Sequence, residues 1–120
     1  MNILLANRNW DYMKAVEEVL DRRNYVTLAE SGHEVIQKLE SEKYEVAIIS
    51  PDLPQFSGQS LIESMARNKC FPEVLVLDCN DPIGSYVESR IEDLCRHAGC
   101  KLLIFNDNHD IAKFIVDKVA

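Results

Sequence analysis

The chain has 120 residues, of which 47% are apolar and 28% charged, the composition of an ordinary folded protein rather than a disordered one. Thirteen basic against twenty acidic residues leave a net charge of -7, which disfavours nonspecific attraction to nucleic acid or anionic lipid. A chain of this length suits one domain over residues 1–120, able to bury roughly two-thirds of the surface its unfolded form exposes.

The start, MNILLANRNW, lacks the extended apolar region of a signal peptide, and the longest apolar runs are strand-sized. A cytoplasmic protein without a membrane segment is therefore expected. Cys70, Cys79, Cys95 and Cys100 match neither a CxxC redox motif nor a zinc spacing, so reduced and mostly buried thiols are expected.

Taken in chain order, apolar runs alternate with amphipathic stretches. Strand-like 2–6 precedes helical 11–23, where Met13, Val16, Val19 and Leu20 offer an inner face and Glu17, Glu18, Asp21 and Arg22 an outer one. Strand-like 26–29 precedes helical 33–41, opened by Ser31-Gly32-His33-Glu34. This has the capping-box form, in which Ser31 accepts from the Glu34 N–H and Glu34 reaches back.

Strand-like 46–49 precedes helical 59–68, and 74–77 precedes helical 86–97. Last come 102–105 and helical 111–119, the latter started by Asn108 or Asp110 with Ile111, Phe114, Ile115 and Val119 inward. The strands are apolar almost throughout rather than alternating, which indicates burial on both faces by covering helices. Five strand–helix units of this kind predict a doubly wound α/β domain.

In such a sheet, reactive groups gather beyond the carboxyl ends of the strands. The residues there are Asn7 and Arg8, Ser50 with Asp52, Asp78, and Asn106. No GxGxxG or P-loop pattern follows the first strand, which argues against nucleotide binding. His33, His97 and His109 are dispersed and read as surface or capping residues.

The segment YEVAIISPDLPQFSG, from Tyr44 to Gly58, together with the order and spacing of the units, resembles a response-regulator receiver domain. The resemblance implies a flavodoxin-like (βα)5 sandwich with a five-stranded parallel sheet in the order 2-1-3-4-5. It also implies a phosphorylation pocket whose reactive positions are all substituted here. Asn7 and Arg8 stand where the family has its metal-holding acidic pair, Ser50 where it has the phosphoacceptor Asp, Asp78 where it has a Thr or Ser, and Asn106 where it has a Lys.

Phosphoryl transfer to a carboxylate needs a divalent ion held by oxygen ligands. Arg8 brings a fixed positive charge to that place. Asp52 and Asp78 beside Arg8 make a poor cation cage, so no metal and no cofactor are expected. Pairing of Arg8 with Asp78 or Asp52 is expected instead. Trp10 and Tyr12, near this pocket, read as local packing or partner contacts.

The resemblance further implies output through the fourth helix, fifth strand and fifth helix. Twenty residues separate Asp78 from Gly99, with an excess around CNDPIGSY that predicts an enlarged loop or displaced helix. Leu103 falls where the family carries its switch aromatic. The expected partner surface is therefore Asn80, Asp81, Tyr86, Leu103, Asn108 and His109.

The function expected is a degenerate, non-enzymatic pseudo-receiver that binds a sensor-kinase component or another response regulator, with a homodimer through the same face as a further outcome. The alternatives are a small-ligand or anion sensor using the degenerate pocket, and a receiver phosphorylated at a displaced Asp, either Asp52 or Asp78.

Overall fold

The structure, a computed structural model, describes residues 1–20, 24–50, 53, 58–78 and 89–105, with the side chains of 58, 59, 89, 90 and 105 excepted. Five strands, β1 (Asn2–Ala6), β2 (Tyr25–Ala29), β3 (Val46–Ile49), β4 (Val74–Asp78) and β5 (Lys101–Phe105), pair in parallel in the order β2-β1-β3-β4-β5. Four helices, α1 (Trp10–Leu20), α2 (Gly32–Ser41), α3 (Gly58–Asn68) and α4 (Ser89–Ala98), connect them. This is the flavodoxin-like order that the receiver-domain resemblance implies. The expected final helix at 111–119 and the loop around CNDPIGSY lie outside the described residues.

The period-2 geometry of a strand sends neighbouring side chains to opposite faces. Leu4 and Ala6, Ala47 and Ile49, and Leu75 and Leu77 face the layer of α2, α3 and α4, meeting Val35, Leu39, Leu61, Met65, Ile91 and Cys95. Ile3 and Leu5, Val46 and Ile48, and Val76 face the other way, onto Met13, Val16 and Leu20 of α1. Burial on both faces is why these runs are continuously apolar. Each fully buried aliphatic side chain contributes about 1.5–3 kcal/mol.

The inner face of α1 corrects one expectation. Val19 is 58% exposed, because Met13, Val16 and Leu20 already complete the stripe that touches the sheet. At α2 the Ser31 hydroxyl accepts from the Glu34 N–H at 3.2 Å, as the capping box requires. The Glu34 carboxylate reaches one residue further back than expected, accepting from the Glu30 N–H at 2.7 Å.

Candidate functional site

The carboxyl ends of β1, β3 and β4 bring Asn7, Ser50 and Asp78 together as buried polar residues beside a mostly apolar sheet. Ser50 continues the β1–β3 ladder, its N–H donating to the Ala6 carbonyl at 2.9 Å. Asp78 is the last residue of β4, its backbone in register with Phe105. Both are almost fully enclosed, at 6% and 3% exposure.

A chain of hydrogen bonds runs from the end of β1 to the end of β4 through the first turn of α1. Asn7 Oδ1 accepts from the Asn9 N–H at 2.9 Å, bending the chain sharply out of the sheet. Asn9 then caps α1, its Oδ1 accepting from the Tyr12 N–H at 3.1 Å and its carbonyl from the Met13 N–H at 3.1 Å. That turn delivers the Tyr12 phenol to Asp78, donating to Oδ2 at 2.9 Å.

The electrostatics of Tyr12 follow from this contact. Burial, then the Asp78 charge, then the hydrogen bond to it all raise the phenol well above its ordinary pKa of about 10. The phenol therefore stays protonated and donates across the accessible pH range.

Tyr12 is the site residue that sequence reading missed. Its sequence context reads as packing or partner contact, and the bond to Asp78 spans 66 residues of sequence. The local signal for its placement was Asn9 three residues before it, an N-cap at the right distance from the first apolar position. Asp78 Oδ2 is thus held by a phenol. Arg8 itself is exposed just past β1. Asp52 and Asn106, the other expected pocket residues, lie outside the described residues.

Of the expected partner surface, only Leu103 is described. It is half-buried, packed against the cluster of Ile3, Leu5, Val46, Ile48 and Val76, while its neighbour Ile104 is exposed. Leu103 thus serves the sheet's packing. Asn80, Asp81, Tyr86, Asn108 and His109 lie outside the described residues. At the opposite end of the sheet an open groove of about 920 Å³ separates the α2–β3 and α3–β4 junctions. Cys70 lines it, its thiol pKa pushed up by burial and the charge of Glu40.

No family model matches the chain, and no curated protein matches it. Solved structures do. A CheY-like response-regulator receiver domain from Methylobacillus flagellatus superposes with a TM-score of 0.75 at 15% identity, covering 100% of this chain and 98% of that one. The chemotaxis response regulator CheY4 of Vibrio cholerae gives 0.71 at 13% identity, covering 98% and 94%. The response regulator TrrA of Thermotoga maritima, solved in complex with Mg(2+)-BeF, gives 0.70 at 22% identity, covering 99% and 98%. The chain has the fold of a CheY-like receiver domain. Among the described residues, no helix is long and apolar enough to cross a membrane.

Proposed function

We propose that this chain is a receiver-like signalling protein of the two-component type that works by phosphorylation-independent protein contact. The observation that supports this reading most directly is the Tyr12–Asp78 bond. In the receiver fold the crevice beyond β1, β3 and β4 is where an activating group would enter. Here β3 ends in a buried hydroxyl, and the carboxylate that ends β4 is tied to α1 by the chain's own phenol. Asn7, at the third corner, spends its side-chain oxygen on the turn into α1.

A crevice organised by internal bonds is stable in one state and needs no incoming phosphoryl group to define it. Such a domain presents a constant surface to a sensor-kinase component or another response regulator. It is not an enzyme, and it requires no metal or cofactor to present that surface.

The test is intact-mass measurement after incubation with acetyl phosphate and Mg²⁺, with Asp52→Asn and Asp78→Asn alongside. An unchanged mass in a demonstrably folded protein is the expected result. A phosphate-sized increment that one variant abolishes would refute the reading and identify a displaced acceptor.

A further inference from the structure

At the end of α4 the chain turns through Gly99, whose φ of 74° is left-handed. Two backbone bonds close the turn, from the Gly99 N–H to the Arg96 carbonyl at 3.1 Å and from the Cys100 N–H to the Cys95 carbonyl at 2.9 Å. This six-residue cap characteristically sets its first and sixth side chains against each other as an apolar contact. Here those two side chains are Cys95 and Cys100.

Helix α3 ends in the same turn, with Lys69 at φ 52° and bonds from Lys69 to Ala66 at 3.3 Å and from Cys70 to Met65 at 3.1 Å. Its facing pair is Met65 and Cys70. One cap motif therefore makes an ordinary apolar pair at α3 and a dithiol at α4.

The geometry suits a covalent bond. The 2.9 Å bond between the Cys100 N–H and the Cys95 carbonyl holds the two Cα atoms within about 6.8 Å of one another. Disulfides bridge Cα separations of roughly 4.4–6.8 Å. The Cys100 thiol donates to the Lys101 carbonyl at 3.7 Å, and the cap sets the Cys95 side chain on the same side of the turn. Both residues are nearly enclosed, at 1% and 6% exposure, and both are free thiols in the structure.

We propose that Cys95 and Cys100 form a reversible dithiol–disulfide site, oxidised by hydrogen peroxide, that clips the end of α4 to the start of β5. Cys95 is the attacking residue, because the Cys100 thiol is engaged as a hydrogen-bond donor to the Lys101 carbonyl at 3.7 Å.

The Cys95 thiolate attacks one peroxide oxygen. The S–O bond forms as the O–O bond breaks, and the departing hydroxide takes the proton released by Cys95 to become water. Cys100 then attacks the sulfenic sulfur. The S–S bond forms, the S–O bond breaks, and the second oxygen leaves as water with the Cys100 proton. Two thiols and one peroxide thus become one disulfide and two waters. Enclosure makes this slower than oxidation of the half-buried Cys70. The site stands on the cap geometry alone and is independent of the receiver-like reading.

The full-length protein would be exposed to hydrogen peroxide, quenched, alkylated in denaturant and analysed by intact mass and peptide mapping. The expected product has lost two hydrogen atoms, carries two fewer alkyl groups and joins Cys95 to Cys100 within one chain. It persists in Cys70→Ala and Cys79→Ala. In Cys100→Ala, dimedone should label Cys95. The proposal is overturned if Cys95 and Cys100 are both still alkylated after an exposure that fully oxidises Cys70. It is also overturned if either is linked to Cys70, to Cys79 or to a second chain. Mapping of the unsubstituted protein gives this answer whether or not the variants fold.

Discussion

Replacing Tyr12 with Phe removes a single oxygen from the first turn of α1 and tests the bond on which the site is built. The phenol donates at 2.9 Å to a carboxylate whose residue is only 3% exposed. Hydrogen bonds to charged groups contribute about 1.5–3 kcal/mol, and water cannot readily take the place of a donor lost this deep. A loss of about 2 kcal/mol is expected. With a urea dependence of about 2 kcal/mol per molar for a domain of this size, the unfolding midpoint should fall by about 1 M. Circular dichroism during a urea titration measures it. Because Asp78→Asn also disturbs other contacts, the double variant Tyr12→Phe/Asp78→Asn completes a cycle that isolates the pair, with a coupling above about 1 kcal/mol. A Tyr12→Phe midpoint within about 0.2 M of the parent, or a coupling near zero, would refute the reasoning.

Four further outcomes follow from the local geometry. Ser31→Ala should cost about 1 kcal/mol in thermal or urea unfolding by leaving the Glu34 N–H without its cap. Gly99→Ala should cost about 1–2 kcal/mol from its left-handed φ alone, since an added Cβ would meet nothing within 4 Å, whereas Lys69→Gly should stabilise by a few tenths to about 1 kcal/mol at φ 52°. The pH dependence has a definite sign. Tyr12 binds its proton more tightly folded than unfolded, so its contribution is complete below the unfolded pKa of about 10 and declines as pH rises above it. Unfolding midpoints recorded from pH 8 to 11 should fall less steeply for Tyr12→Phe than for the parent, and equal slopes would contradict the assignment.

Much of the fold was legible because its determinants are local or periodic. Strands such as VAII, apolar at every position, can only be satisfied by helices on both sides, and the alternation of strand-like and helical segments follows from that. The Ser31–Glu34 cap was legible because donor and acceptor are three residues apart. Val19 misled because periodicity marks a stripe without saying how wide a stripe the sheet will accept, and Val16 and Leu20 already fill it. At the site, the strand-end rule located Asn7, Ser50 and Asp78, since residue position along a strand is itself a sequence property.

What each of those residues touches was another matter. Arg8 is nearest in sequence to the crevice and carries the complementary charge, so composition favours it as a partner of Asp78 or Asp52. The tertiary structure also brings Tyr12 to Asp78, a contact no spacing announces, because Asn7 and Asn9 set the angle at which α1 leaves β1. The dithiol arises in the same way. Spacing five residues apart means nothing for two cysteines until a left-handed residue between them reverses the chain and sets them face to face. Sequence by itself determined the elements, their order and the places where chemistry could gather, because those depend on burial and period. Only the folded chain decided the contacts, which depend on directions that no local pattern encodes.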